Sequence, residues 1–473
     1  MSKWMGRKER IASIPQSYRL GPWLEAATML RLIVACLVQW YVQKRGRLCL
    51  FPDTEVYWRL AQTIVHGTPY EISQWGIPHL ALRTPGYPLF LAAFQAIFGD
   101  RVMPVRIAQA ILGAASVWLT VGLVKALDLD RLQKGFRQDE RRTNSEAERS
   151  AQPRFHRLPP IWWIAAGIAA LEPYHASLSV LILSEALFAP LSLAALWGTA
   201  VVWRGDDRVR WRSFAGLAFG IGIAHGALIL VRPSWALFVP LSLIAWLLIY
   251  GKTISQYWKR PLAGSILIVL GVIVVMAPWW VRNERAFGRF VPTAIWAGAS
   301  LYDGLNPKAD GSSNMDFLND PDVWPLDEID QDSELTRRAF AFATGSPRRV
   351  VELAIAKAGR YFSPWPNAEV ASSAWVKIAG AIVTVPLYLL ILYGAWDRRR
   401  DPRALFLTLG PILYFAIIHM IFVGSVRYRV AAEAPSFVLA AIGFDKLFRR
   451  FSGGSERSIE FRGGDAGVGG SNR

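Results

Sequence analysis

Two carboxylates that follow the first apolar stretch of the chain are candidates for proton-transfer chemistry. Asp53 and Glu55 are separated only by Thr54, and Tyr57 follows closely. A carboxylate can act as a general base, and desolvation beside a bilayer would raise its proton affinity toward a useful value. The alternative is that both acids are solvated residues at the start of a short helix over 54–66, where aspartate is a common N-cap.

Arg83 is a candidate phosphate ligand, since a guanidinium group binds two phosphate oxygens at once. It stands just before a turn that Pro85, Gly86 and Pro88 predict, with Tyr87 within that turn. The alternative is an interfacial arginine whose charged end reaches the lipid headgroups. Both interpretations place Arg83 near a membrane surface.

Arg282 is a second candidate for holding an anionic headgroup. It follows Trp279 and Trp280 at the end of an apolar run. The two tryptophans are typical membrane-interface anchors and need no further role. The arginine that follows them is therefore the residue of interest in this stretch.

Arg427, Tyr428 and Arg429 fill a predicted turn, 424–429, between the last two apolar runs. Two arginines are unusual in so short an outer turn, because positive residues concentrate on the cytoplasmic side. A phosphate or diphosphate headgroup would account for them. Glu185 begins another apolar run, where it is either a partner of the helix dipole or a site residue.

The sequence predicts no metal site and no nucleotide cofactor. Segment 303–334 carries ten acids against one lysine, which is typical of a solvated face. A divalent cation there lacks support, because the spacing matches no EF-hand loop. The histidines are scattered, and no glycine-rich nucleotide loop appears.

These candidates must be positioned by membrane helices. Of the 473 residues 53% are hydrophobic and 19% are charged, and a run of about 20 apolar residues spans a bilayer. The predicted fold is an all-α polytopic transmembrane helix bundle. Its ten predicted spans are 24–42, 104–126, 161–178, 183–203, 212–230, 233–250, 262–281, 374–396, 404–423 and 430–448.

The basic residues predict the orientation of this bundle. Loops 127–160, 204–212 and 397–403 are rich in arginine and fall on one side, as do both termini. We assign that side to the cytoplasm. The net charge of +17 therefore reflects topology, and nucleic acid is not an expected partner because no recognition motif accompanies it.

Two long segments, 43–103 and 282–373, remain outside and are too long to be mere connectors. Within the first, 86–98 is apolar but too short to span, so it predicts a helix at the outer interface. Residues 1–450 then form one transmembrane domain and 451–473 a disordered cytoplasmic tail. With two cysteines, no disulfide framework is expected.

Several of these stretches, taken in order, resemble the C-type membrane glycosyltransferases. The closest group contains the dolichyl-phosphate-mannose protein mannosyltransferases and the bacterial lipid A aminoarabinose transferase. The stretches that carry the resemblance are 52–57, 83–88, 278–283 with 287–288, and 427–429.

The resemblance implies an extracytoplasmic transfer of a sugar from a polyprenyl-phosphate carrier to a lipid, glycan or protein acceptor, with inversion. It implies that Asp53 is the base and that Arg83 and the turn 427–429 hold the carrier phosphate. Some relatives have two adjacent acids, whereas here Thr54 separates Asp53 from Glu55. The expected substrate-binding residues are Glu55, Tyr57, Arg83, Tyr87, Glu185, Arg282, Arg427, Tyr428 and Arg429.

The competing hypothesis is a transporter or flippase of lipid-linked glycans in the same membrane. Intramembrane polar pairs, paired broken helices and an internal repeat would favour it. No repeat is evident, although Arg232-Pro233 between two spans is a candidate for a helix break. The expected location under either hypothesis is a bacterial inner membrane, with the protein crossing it many times.

Cysteine labelling of intact cells tests this topology. With the native cysteines replaced, Asp310→Cys should react with a membrane-impermeant maleimide and Glu140→Cys should not, because only the first lies in an outer segment. The reverse pattern would overturn the orientation.

Overall fold

The computed structural model describes residues 18–46, 50–74, 76–129, 159–204, 210–250, 259–367 and 373–463, and this part of the chain is almost entirely helical. The predictions for residues 1–17, for most of loop 127–160 and for the end of the tail lie outside these ranges. Within the described ranges, eight helices are long and apolar enough to cross a membrane, which confirms the all-α bundle, and they coincide with eight of the ten predicted spans. They are α1 (Gly21–Lys44), α4 (Val102–Ala126), α7 (Ser184–Trp203), α8 (Trp211–Val231), a 3-10 turn (Pro233–Trp235) with α9 (Phe238–Tyr250), α10 (Lys259–Phe287), α14 (Ala374–Asp397) and α15 (Pro402–Ile421).

Shorter elements lie between them. The remaining described elements are α2 (Pro52–His66), β1 (Ile72–Gln74), β2 (Ile77–His79), α3 (Gly86–Phe98), α5 (Ile161–Leu171), α6 (Pro173–Leu178), α11 (Ala297–Gly304), a 3-10 turn (Asp316–Asn319), α12 (Glu328–Gly345), α13 (Pro347–Tyr361), α16 (Val426–Glu433), a 3-10 turn (Ala434–Ser436) and α17 (Phe437–Gly463).

The predicted span 161–178 is broken in the structure. Helix α5 ends at Leu171, and the Glu172 side chain then caps α6 by accepting the backbone N–H of Tyr174 at 3.1 Å. Buried Arg31 of α1 donates to the carbonyls of Ala169 and Ala170, each at 3.1 Å. A helix end in an apolar environment leaves carbonyls without hydrogen-bond partners. Arg31 supplies those partners and so lowers the energetic cost of the break.

Segment 43–103, which was predicted to lie outside, contains α2, the β1–β2 hairpin and α3. The hairpin is antiparallel, with Ile72 opposite His79. The Glu328 carboxylate, at the start of α12, accepts the backbone N–H groups of Leu80 at 2.7 Å and Ala81 at 3.0 Å. The two segments that were predicted to lie outside are therefore joined at Leu80 and Ala81, which are close to Arg83 in the sequence.

Helix α13 of the second outer segment packs against the middle of membrane-length helices. The Tyr361 hydroxyl donates to the carbonyl of Ile412, halfway along α15, at 2.9 Å. The Tyr388 hydroxyl, halfway along α14, donates to the carbonyl of Phe362 at 3.3 Å. Segment 282–373 was predicted as one outer segment, but the end of α13 lies beside the spans rather than beyond them.

One consequence concerns the exposed face of α13. Ile355 is 66% exposed although it is apolar, whereas Arg348 near the start of the helix is exposed and charged. We predict that Ile355 faces lipid. In a protein without native cysteines, Arg348→Cys should react with a membrane-impermeant maleimide and Ile355→Cys should not. When Ile355→Cys is labelled instead with a membrane-permeant fluorescent maleimide, a lipid-borne nitroxide should quench its fluorescence. Equal maleimide reactivity at both positions would place α13 in water.

Candidate functional site

Asp53 lies in the first turn of α2, and its carboxylate points away from the helix end. Phe51 is the N-cap residue and Pro52 occupies the first helical position, so Asp53 does not cap the helix. Its carboxylate accepts from Arg427 at 2.8 Å and from Arg83 at 3.3 Å. About a third of the Asp53 side chain is exposed. Asp53 is therefore not the helix cap, although both acids lie in the first turn of α2, and it is an ion-paired acid with a partly exposed side chain.

Thr54, which lies between Asp53 and Glu55, holds helix α2 in position. The Thr54 hydroxyl donates to the carbonyl of Ile182 at 2.8 Å, and the Tyr57 hydroxyl lies 3.4 Å from that of Ser184. Both contacts join α2 to the segment that leads into α7. They bring Asp53 close to Glu185, the second residue of α7.

Arg427 joins two carboxylates that are far apart in the sequence. Its Nη2 donates to Asp53, and its Nε donates to Glu185 at 2.5 Å. Glu185 has no exposed side-chain surface and also lies 3.1 Å from Arg232. The result is a continuous chain of charges in the order Arg83, Asp53, Arg427, Glu185 and Arg232.

The Tyr428 ring covers the inner end of this chain. It stacks on His419 with 4.1 Å between ring centroids. The guanidinium carbons of Arg232 and Arg427 lie 4.9 Å and 5.4 Å from its centroid. Cations at these distances are attracted by the ring face, so Tyr428 contributes to holding both arginines.

The backbone at Gly86 lies directly against the backbone of Leu230, and this contact sets the position of Arg83. A Cβ added to Gly86, at the start of α3, would lie 2.5 Å from the backbone of Leu230. Only glycine permits this contact. It brings the turn after Arg83 against the end of α8, where Arg232-Pro233 interrupts the helix. The predicted break at this dipeptide is therefore present and delivers Arg232 to Glu185.

The charges around Asp53 reverse the expected direction of its pKa. Burial alone would raise the pKa, but the guanidinium groups of Arg427 and Arg83 outweigh it and lower the pKa to about 2. The expectation that desolvation raises its proton affinity is wrong for this state of the site. Asp53 remains ionised at every working pH and is a weak base while both arginines hold it.

Arg429 is not part of this cluster, although it was predicted to share a phosphate with Arg427. Residues 427 and 429 lie in helix α16 rather than in a turn, and residues two apart on a helix point in different directions. Buried Arg429 pairs with Glu433 at 3.2 Å and donates to the carbonyl of Ser363 at 2.6 Å. Its role is to join α16 to the segment after α13.

Glu55 and Arg282 also lie away from Asp53. Glu55 is exposed and pairs with Arg59 one turn further along α2. Arg282 donates to the carbonyl of Tyr70 at 2.8 Å, and the Tyr70 hydroxyl donates to that of Arg83 at 3.0 Å. Arg282 therefore reaches the site only through Tyr70.

Tyr57 and Tyr87 form a buried layer beneath the cluster. Their rings meet edge to face at 5.1 Å, and Arg83 lies 5.9 Å from the Tyr57 ring. The Tyr87 hydroxyl accepts from Gln109 at 2.8 Å. Tyr57 thus supports Arg83 from below, whereas Tyr87 supports Tyr57.

Sequence reasoning missed Arg232 as a member of the site. The available signal was an arginine next to a proline between two apolar runs, where a charge is costly without a partner. No group of three or more histidine, cysteine, aspartate or glutamate side chains suited to a metal occurs among the described residues.

Comparison with known proteins supports the resemblance found in the sequence. No family model matches the chain. It is 23% identical over 267 residues to an undecaprenyl phosphate-alpha-4-amino-4-deoxy-L-arabinose arabinosyl transferase 1 of Pseudomonas fluorescens, covering 55% of this chain and 40% of the relative. It is 26% identical over 234 residues to the corresponding transferase of Pseudomonas aeruginosa, covering 48% and 35%. The chain thus aligns with less than half the length of these relatives.

A solved structure shares the fold. The crystal structure of the Archaeoglobus fulgidus oligosaccharyltransferase in the apo form aligns with 96% of this chain and 53% of its own, with a TM-score of 0.55 and 13% identity. That likeness concerns the fold alone. The chain is a multi-pass membrane protein with the fold of the aligned half of that oligosaccharyltransferase, and in sequence it is similar to proteins named undecaprenyl phosphate-alpha-4-amino-4-deoxy-L-arabinose arabinosyl transferases.

Proposed function

We propose that this protein transfers a sugar from a polyprenyl-phosphate carrier to an acceptor on the outer face of the membrane. The observation that carries the proposal is the convergence of Arg83 and Arg427 on the partly open Asp53. Guanidinium groups stabilise charge on a departing phosphate, and a carboxylate accepts the acceptor's proton. The similarity to transferases named for undecaprenyl phosphate supports this donor class.

The proposed reaction is a single displacement at the anomeric carbon. The acceptor oxygen forms a bond to that carbon while the bond from carbon to phosphate oxygen breaks, and its electron pair leaves with the phosphate. The acceptor proton passes to Asp53. Attack opposite the leaving group inverts the configuration of the sugar.

Donor binding would also activate the base. Phosphate oxygens compete with Asp53 for the N–H groups of Arg427 and Arg83, because all are acceptors for the same donors. Once the arginines bind the phosphate instead, they no longer offset the effect of burial, which raises the pKa of a carboxyl group. The pKa of Asp53 then rises from about 2. The base therefore becomes effective when the leaving group is in place.

The proposed setting is a bacterial inner membrane with both termini in the cytoplasm. The arginine-rich loops on one side of the spans support this orientation. The acceptor is a lipid, a glycan or a protein at the outer face. We propose that guanidinium groups neutralise the donor phosphate without a resident metal ion.

The transporter or flippase hypothesis shares the break at Arg232-Pro233, the break after Leu171 and the buried pair of Arg232 with Glu185. The structure uses the first of these breaks to bring Arg232 within 3.1 Å of Glu185 beside Asp53. A transporter needs no general base, so the two hypotheses differ in what they expect of Asp53. The transferase is favoured because the acid and the arginines form one site.

The first test is Asp53→Asn. The change keeps the shape of the side chain and removes the base, so turnover with an undecaprenyl-phosphate-linked sugar should fall by about 10²–10⁴. Binding of the donor should remain, because the arginines lose a competing carboxylate.

Glu55→Gln on the same helix is the matched control, and it should be nearly silent because Glu55 is exposed and paired with Arg59. Near-normal transfer by Asp53→Asn would remove the base from this mechanism and favour the transporter.

The second test separates the two arginines of α16. Arg427→Ala should weaken donor use by about 2–5 kcal/mol, by analogy with desolvated charge pairs, while the protein still folds because Arg83 and Arg232 remain beside the two acids. Arg429→Ala should mainly lower thermal stability, since it leaves Glu433 buried without its cation. Wild-type donor kinetics in Arg427→Ala would place the phosphate elsewhere.

A further inference from the structure

Glu185 is an acid with no exposed side-chain surface and three polar partners. Arg427 Nε donates to it at 2.5 Å, Arg232 Nη1 lies 3.1 Å away, and the Ser184 hydroxyl donates to its second oxygen at 3.3 Å. A buried carboxylate is retained only where partners repay its lost hydration. Glu185 touches the cluster from its inner side, whereas Asp53 faces the open side.

The two acids hold different nitrogens of one guanidinium group. Glu185 holds Nε, which lies at the base of the Arg427 head, and Asp53 holds the outer Nη2. Because a guanidinium group is planar and rigid, a partner on Nε fixes its plane while the outer nitrogens remain free to change partner. Glu185 is therefore placed to keep Arg427 oriented when Asp53 is replaced by another acceptor.

We propose that Glu185, itself held by Arg232, is a positioning residue that keeps Arg427 aimed at the donor phosphate while Arg427 releases Asp53. This inference rests on the proposed function. Glu185 acts through Arg427 and does not contact the reacting atoms. Arg232 acts one step further back, through Glu185.

The net charge of the cluster predicts whether each substitution strengthens or weakens phosphate binding. Three guanidinium groups, those of Arg83, Arg427 and Arg232, face the carboxylates of Asp53 and Glu185. One net positive charge remains, which favours binding of an anionic phosphate, both in a phosphodiester donor and in undecaprenyl phosphate itself. Neutralising Glu185 raises the net positive charge of the cluster, whereas neutralising Arg232 reduces that charge to zero. The two changes should therefore shift phosphate affinity in opposite directions.

The experiment measures undecaprenyl phosphate binding and donor turnover in three variants. Glu185→Gln should bind this lipid about tenfold more tightly and yet turn over the donor more slowly, because Arg427 has lost its fixed partner. Arg232→Gln should bind it about tenfold more weakly. Glu185→Asp keeps the charge but shortens the reach, so its affinity should stay near that of the wild type while kcat falls.

The outcomes separate this inference from the function on which it rests. Failure of the wild-type protein to bind undecaprenyl phosphate, or to use any donor linked to it, would contradict both the proposed function and the role of Glu185. Normal binding and turnover by the wild type, with affinity shifts of the same sign in both glutamine variants, would assign Glu185 and Arg232 a merely structural role. If the glutamine variants do not fold, Glu185→Asp decides alone, and a wild-type kcat in that variant overturns the inference.

Discussion

The sharing of one guanidinium group between two carboxylates is the interaction on which the site depends. Arg427 lies between Asp53 and Glu185, which belong to elements distant in the sequence. A buried charge without any partner would be strongly penalised, and each of these carboxylates also has a second arginine, Arg83 for Asp53 and Arg232 for Glu185. The packing of α2, α7 and α16 therefore cannot change without disturbing the charges of the site.

The position of Arg427 is secured from the outer side by α13. Lys357 Nζ donates to the carbonyl of Ile421 at 2.7 Å, and Arg360 Nε donates to that of Gly424 at 3.3 Å. The first carbonyl belongs to the last residue of α15, and the second belongs to the connection that leads into α16. Cations at a helix C-terminus satisfy groups that the helix leaves unpaired. Helix α13 thus stabilises the position of α16, the helix that carries Arg427.

Two membrane-length stretches of the described chain are interrupted by irregular backbone. The breaks at Glu172 and at Arg232-Pro233 expose backbone groups that would be costly in an apolar environment. Arg31 satisfies carbonyls at the first break. At the second, the Trp235 indole donates to His225 at 3.0 Å and fixes the turn. Each irregular segment is therefore held by a polar contact within the bundle.

The sequence by itself determined the features that depend on neighbouring residues. Apolar runs predicted the membrane-length helices, and the pattern after Pro52 predicted a helix over 54–66, which the structure has as Pro52–His66. Residue chemistry also singled out Asp53, Arg83 and Arg427, because acids and arginines close to an apolar run need a reason to be there.

Tertiary structure alone decided which of these charges meet. Arg427 and Arg429 are equivalent in the sequence, but the helical turn of α16 sends one to Asp53 and the other to Glu433. Arg232 joins the site only because a helix break brings it to Glu185. The low pKa of Asp53 likewise follows from cations 30 and 374 residues away along the chain. Such contacts depend on how distant segments pack, and no local pattern encodes that.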